Sequence, residues 1–288
     1  MTDAADAGSR HAIPSTADSL REYGRGFAGG LLFSLPLLYT MEVWWVSFIA
    51  QPSRLLVLLA FTFLLLLGYN RYAGLRHDAS WGEVAIDSVE ELGLGIGTSA
   101  VVLYLIGRIG PATSSAEALG KVVVEAAIVA VGFSVGSAQL GSRDRDRGKG
   151  SEDDEGRPTL ARQVVIAGCG AVLFAANVAP TEEILMIAAE TGPVRLLGLA
   201  ALSLVVAGGV LYSMDFKGAE RFAAVEGKLD VAIGLAMTYA IALAVSAILL
   251  WFFGRFDGVG PDVCARQVVV LGFPAALGSA AGRLLLQS

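Results

Sequence analysis

The residues of this sequence whose types and placement could do chemistry are acids set in or beside apolar runs. Glu42 lies in the outer part of a run from about Gly26 to Ile49, within Met41-Glu42-Val43-Trp44-Trp45, and Glu182 and Glu183 follow Pro180 in a run that starts near Arg162. A charge inside a bilayer is costly, so an acid there is by default a candidate group for binding a cation or a proton. Glu42 stands 17 residues beyond Arg25, about 25 Å along a helix that rises 1.5 Å per residue, which puts it in the outer part of a membrane span. Two such carboxylates on related helices would bind a cation or share a proton. The bland alternative is that the helices end near Thr40 and Pro180. The acids then sit among lipid headgroups at the start of new helices, where a negative charge favours the helix dipole.

A second acidic group is Glu83, Asp87, Glu90 and Glu91, spaced by three and four residues and so on one helical face. Asp230 holds the analogous place before a later apolar run. These acids form either the mouth of a cation path or an amphipathic lead-in to a helix. Glu125 stands alone in its run and has Lys121 four residues before it as a ready partner. Arg54 and Arg195 each lie two residues after a proline. They either snorkel to headgroups or pair with Glu42 and Glu183, each 12 residues before them.

What is missing narrows the chemistry. The two histidines, His11 and His77, lie in polar segments, and Cys169 and Cys264 have no metal-ligand spacing. No HExxH pair and no phosphate-loop lysine occur. No enzyme and no cofactor is therefore expected, the metal question stays open, and no basic stripe suggests nucleic acid. The glycine pairs Gly132 with Gly136 and Gly278 with Gly282 are small-xxx-small spacings that let helices pack closely.

The elements that must carry these residues are long apolar helices. The chain is 55% hydrophobic and 17% charged, with a mean hydropathy of +0.63, and its charges cluster between runs of the length that spans a hydrocarbon core about 30 Å thick. About eight spans are expected, near 26–49, 55–72, 92–109, 122–140, 162–180 and beyond, 196–212, 231–253 and 268–286. The stretch 141–161 is charged, glycine-rich and without a core-forming pattern, so it reads as a linker. A shift of 141 residues lays Gly29 on Gly170, Phe33 on Phe174, Thr40 on Thr181, Glu42 on Glu183, Pro52 on Pro193 and Arg54 on Arg195. A shift of 146 lays Val122 to Val124 on Val268 to Val270, Gly132 on Gly278 and Gly136 on Gly282. The expected fold is thus all-α, a polytopic bundle of two parallel four-helix repeats. Its parts are a polar tail (1–24), a first repeat (25–140), the linker (141–161) and a second repeat (162–288).

The run Asn177-Val178-Ala179-Pro180-Thr181-Glu182-Glu183, with Glu42-Val43-Trp44-Trp45 and Pro52-Ser53-Arg54-Leu55-Leu56, resembles a family of bacterial multi-pass integral membrane proteins of unknown function. The resemblance implies a bacterial cell-membrane location and no activity. Two functional expectations stand side by side. One is a channel or secondary transporter for a small cation or proton, using acids between the repeats. The other is a scaffold, regulator or lipid-binding protein. The lipid bilayer is the expected partner in both, with self-association open. With the N-terminus cytoplasmic, fifteen Lys and Arg residues lie in inside segments and six in outside ones, the bias of cytoplasmic loops. Cysteines introduced at Ser151 and Ser288 should therefore resist an impermeant thiol reagent added to intact cells and react after lysis; labelling of either without lysis contradicts this topology.

Overall fold

The computed structural model describes residues 16–49, 51–74, 80–145, 160–215 and 228–285, and all regular structure among them is helical. The helices are α1 (Thr16–Leu38), α2 (Met41–Ile49), α3 (Pro52–Tyr72), α4 (Trp81–Leu105), α5 (Ser115–Arg145), α6 (Leu160–Ala175), α7 (Glu183–Glu190), α8 (Pro193–Asp215), α9 (Lys228–Phe252) and α10 (Pro261–Leu285). Six of them, α3, α4, α5, α8, α9 and α10, contain stretches long and apolar enough to cross a membrane. Helix α6 has only 16 residues, about 24 Å, and α2 and α7 are shorter still.

Local sequence sets the helix ends. Pro52 opens α3 at a position whose backbone N–H needs no helical partner. Ser80 and Glu83 form a reciprocal capping box at the start of α4. Helices α4 and α9 both close on a glycine in the left-handed region, Gly107 at φ 73° and Gly254 at φ 71°. The next N–H in each case reaches back five residues, from Arg108 to the Leu103 carbonyl (2.8 Å) and from Arg255 to Leu250 (2.9 Å), so both turns satisfy carbonyls that a helix end leaves open.

Several spans differ from expectation in extent. The run from Gly26 to Ile49 is two helices. Pro36 lies inside α1, and the Asn177 side chain accepts from the Leu37 N–H (3.1 Å) and donates to the Phe33 carbonyl (3.0 Å). Those two groups pair with each other in an unbroken helix, so the amide takes over where α1 is about to stop. The expected break at Pro180 is present as the turn between α6 and α7. Helix α1 reaches back into the expected tail and α5 forward to Arg145 in the expected linker; residues 146–159 and the rest of the tail lie outside the described residues. Helix α4 begins at Trp81, not near Leu92, because the capping box starts it a full three turns earlier.

Helix α5 is the centre of the bundle. Of its membrane-length window 89% is buried, against 22% for α3 and for α4, and α1, α2, α3, α4 and α6 all pack on it. Helix α10 is packed in turn by α6, α7, α8 and α9. The contacts of these two helices with α1 and α6 are backbone to backbone. A Cβ on Gly29 would lie 2.5 Å from the Gly136 Cα and 2.6 Å from the Gly132 carbonyl oxygen, and one on Gly170 would lie 2.1 Å from the Gly278 carbonyl oxygen and 3.1 Å from the Gly282 Cα. Large side chains that face outward, among them Leu32, Leu64, Val101, Val194, Leu197 and Val205, give the bundle a surface suited to lipid. Because no water-driven force holds apolar helices together in lipid, such close crossings carry the packing. Gly29→Ala should destabilise the protein by about 1–3 kcal/mol, whereas Gly97→Ala, with open space around the new methyl, should stay within about 0.5 kcal/mol of wild type. Equilibrium unfolding in detergent or lipid checks the pair, and equal effects would contradict the crossing.

Candidate cation site

Of the acids singled out from sequence, one enters a built polar site. Glu91 lies midway along α4, inside its membrane-length stretch. Its Oε2 accepts a hydrogen bond from the Asn70 Nδ2 of α3 (2.8 Å), and the same amide reaches the Ser88 Oγ (3.1 Å). Ser134 of α5 donates to the Asn70 Oδ1 (3.0 Å) and also lies within hydrogen-bonding reach of the Glu91 carboxylate. Ser88 donates to the Val84 carbonyl (2.7 Å). Three helices thus converge on one carboxylate with neutral groups, while Asp87 and Glu90 add only negative charge near it. Asn70 can supply both a donor and an acceptor to such a network, and here it uses both. Such a carboxylate has oxygen neighbours suited to a proton or a small hard cation.

The rest of this acidic face has local duties. Glu83 caps α4. Exposed Glu90 accepts from the Tyr23 hydroxyl of α1, and Arg71 stacks on Trp81 at the same end of the bundle (5.4 Å). Asp230 lies in the first turn of α9, and its side chain is outside the described residues.

Glu42 and Glu183 occupy the first turns of α2 and α7, helices that pack on α5 and α10 respectively. Glu42 is half-buried, while Glu182 and Glu183 are exposed. Hydrogen bonds from its own backbone and from the Thr181 side chain hold the Glu183 carboxyl below the ordinary carboxylate range, and Arg255 adds to this.

Of the two alternatives for Arg54 and Arg195, pairing with Glu42 and Glu183 is not what the structure has. Arg54 reaches not Glu42 but Asp257, in the turn between α9 and α10 (2.8 Å), and its guanidinium lies 5.5 Å from the Trp251 ring centroid. Arg195 is exposed, and the arginine near Glu183 is Arg255, which donates to the Pro180 carbonyl. The pairing of Lys121 with Glu125 is also corrected. Lys121 turns to Glu117 and to the Arg108 carbonyl (2.9 Å), because the helix start and the α4–α5 turn offer it oxygens at the bundle's edge. Asn70, Ser88 and Ser134 are not singled out by sequence: Asn70 adjoins Arg71, Ser88 sits among Asp87, Glu90 and Glu91, and only Ser134 stands within an apolar run.

Apolar spans around a buried acidic network define a polytopic helical integral membrane protein. The family model described as Putative integral membrane protein (DUF2391) matches residues 22–286, and the chain belongs to that family, whose function is unknown. No curated protein and no solved structure matches the chain.

Arg54 holds the Asp257 carboxyl below its ordinary value, first through the hydrogen bond. A depressed carboxylate stabilises the fold above its unfolded value, near pH 4, and loses that contribution as pH falls through the folded value. The stability margin of wild type over Arg54→Met should thus be full above about pH 4 and vanish below. The Asp257 side chain is exposed and the Arg54 side chain only partly covered, so the margin should be about 0–1 kcal/mol. Unfolding measured across acid pH checks it; a margin that grows on acidification contradicts the pairing.

Proposed function

We propose that this protein moves a proton or another small cation across the membrane, as a channel or secondary transporter and not as an enzyme, with Glu91 as the group that holds the cation. The observation that carries the reading is the Glu91 carboxylate inside a membrane-length helix, met by Asn70 of α3 and Ser134 of α5, with Ser88 of its own helix on the same Asn70 amide. An acid kept at such depth with neutral partners costs stability, and a structural role would be served as well by an apolar residue. The site belongs to the first half of the chain, not to the interface of two halves around Glu42 and Glu183.

We further propose that the chain is a duplicated four-span unit with eight crossings and both termini in the cytoplasm of a bacterial cell. In support, each of the series α1 to α5 and α6 to α10 has a short second helix, α2 or α7, between its first helix and three long ones. The Gly29–Gly132–Gly136 crossing recurs as Gly170–Gly278–Gly282, and the Gly107 turn recurs as the Gly254 turn. On this reading α1 and α6 complete the count, and α2 and α7, too short to cross, lie at the outer interface with Glu42 and Glu183. One observation favours the second reading, a lipid-binding or scaffold protein: the exposed starts of α2 and α7 carry acids where headgroups would meet them. The bilayer is the partner in either case.

Purified protein in liposomes should carry flux of a proton or one member of an alkali-cation panel, and Glu91→Gln should lower it by about tenfold or more in folded protein. Glu42→Gln with Glu183→Gln should leave it intact. Absence of flux for every ion, or full flux in Glu91→Gln, contradicts the proposal; flux lost only in the double variant returns the site to the interface of the halves.

A further inference from the structure

Glu125 is the most deeply buried acid or base among the described residues. It is 0% exposed, and neither carboxylate oxygen has a hydrogen-bond partner. It stands near the midpoint of the membrane-length stretch Ser115–Ala138 of α5. The glycine crossing fixes where it points. Helix α1 meets α5 along Val129, Gly132 and Gly136, and Glu125 continues that stripe one turn below Val129, at the spacing of i and i+4. Helix α1 runs antiparallel here, with Gly26 against Phe133 and Gly30 against Val129, so Ser34, one turn beyond Gly30, comes level with Glu125. Ser34 is also 0% exposed, and its hydroxyl has no partner. On α4, Gly95 packs on Ala126 and Ala130, which brings Ser99, 0% exposed and equally without a partner, to the same level.

Packing does not demand an acid at this place. In the α6–α10 seam, the residue seven before Gly278 is Leu271, as Glu125 is seven before Gly132, and Leu271 is fully buried. At the Ser34 level that seam has Ala175, also fully buried. One seam is closed with apolar side chains, and the other holds an acid and two hydroxyls at a cost in desolvation. Among the titratable groups on α5 and the helices packed on it are Lys121, one turn before Glu125, Arg25 of α1, whose carbonyl lies against Gly136, Glu91 of α4 with Cys169 of α6 near it, Glu42 of α2 and Tyr69 of α3. Lys121 is engaged with Glu117 and the Arg108 carbonyl.

We infer that Glu125, with Ser34 and Ser99, is a proton-binding site at the middle of the membrane, separate from the Glu91 site and about 12 Å along α4 from it, the eight-residue rise from Glu91 to Ser99. A proton is the ligand that these groups suit: one carboxyl that needs neutralising and two hydroxyls able to donate or accept to it, with no ring of carbonyl oxygens of the kind a dehydrated metal ion requires. The inference does not rest on the Glu91 reading. Loss of flux in Glu91→Gln with no proton chemistry at Glu125 would remove only this inference, and the reverse would remove only that reading.

Dicyclohexylcarbodiimide, an apolar reagent that attacks protonated carboxyl groups from the lipid phase, tests it on the full-length protein in liposomes. Mass spectrometry of the peptides should find the adduct on Glu125, decreasing as pH is raised and indifferent to added sodium or potassium. Glu125→Leu, which places the residue of the second seam in the first, should fold and lose this adduct while keeping any on other carboxyls. Wild-type protein with no adduct on Glu125 at any pH overturns the inference. So does protection by sodium or potassium, which would make the site one for a metal cation. Because the wild-type readout is decisive alone, a poorly folding Glu125→Leu is replaced by Glu125→Gln as the specificity control.

Discussion

Close approach of helix backbones at two glycine crossings is the constraint on which the rest of this molecule depends. Lipid supplies no hydrophobic drive between apolar helices, so association comes from van der Waals contact and the few polar bonds available. At Gly29 against Gly132 and Gly136, and at Gly170 against Gly278 and Gly282, a Cβ on Gly29, Gly136, Gly170, Gly278 or Gly282 would collide with backbone, and one on Gly132 would fit only tightly. These crossings seat α1 on α5 and α6 on α10, and the remaining helices assemble around those pairs. Asn177 then ties the two pairs together by bonding to α1 at Phe33 and Leu37 and to its own helix at Leu173.

With α5 enclosed, any polar group along it becomes expensive, and the molecule treats its two acids there and on α4 differently. Glu91 is given an amide and a serine hydroxyl from neighbouring helices. Glu125 is given no bond at all. The charges at the bundle's ends are handled in the ordinary way: Lys121 with Glu117, Arg54 with Asp257, Arg108 4.0 Å from the Trp44 ring centroid. The Arg54–Asp257 pair, partly open to solvent, contributes little, so the packing rests on the crossings, and the proposed chemistry rests on the interior acids.

Much of this was legible in the residues themselves. Runs of apolar residues mark the helices, Pro180 marks the break after α6, and the paired glycines mark the two crossings, because each of these signals is local in sequence. Partnership is not local. Asn70 meets Glu91 across 21 residues and a turn, and Arg54 meets Asp257 across 203, so neither pair has a sequence spacing to betray it. Glu125 shows the opposite failure. Its i, i+4 lysine suggests a pair, but a carbonyl and a glutamate at the helix start compete successfully for the ammonium. Hydropathy alone puts the start of α4 too late, because it weighs Glu83 to Glu91 as polar lead-in, whereas the Ser80–Glu83 box starts the helix at Trp81.

Interior carboxyl groups that exchange a proton in the intact, membrane-embedded fold are the core of this picture, and infrared difference spectroscopy in bilayers addresses them directly. On transfer from H₂O to D₂O, wild-type protein should show an isotope-shifted carbonyl stretch of protonated carboxyl groups, and the variant combining Glu91→Gln with Glu125→Leu should lack it while keeping the same helical amide bands. An identical carboxyl spectrum in wild type and variant would contradict the assignment of these acids as proton-binding groups.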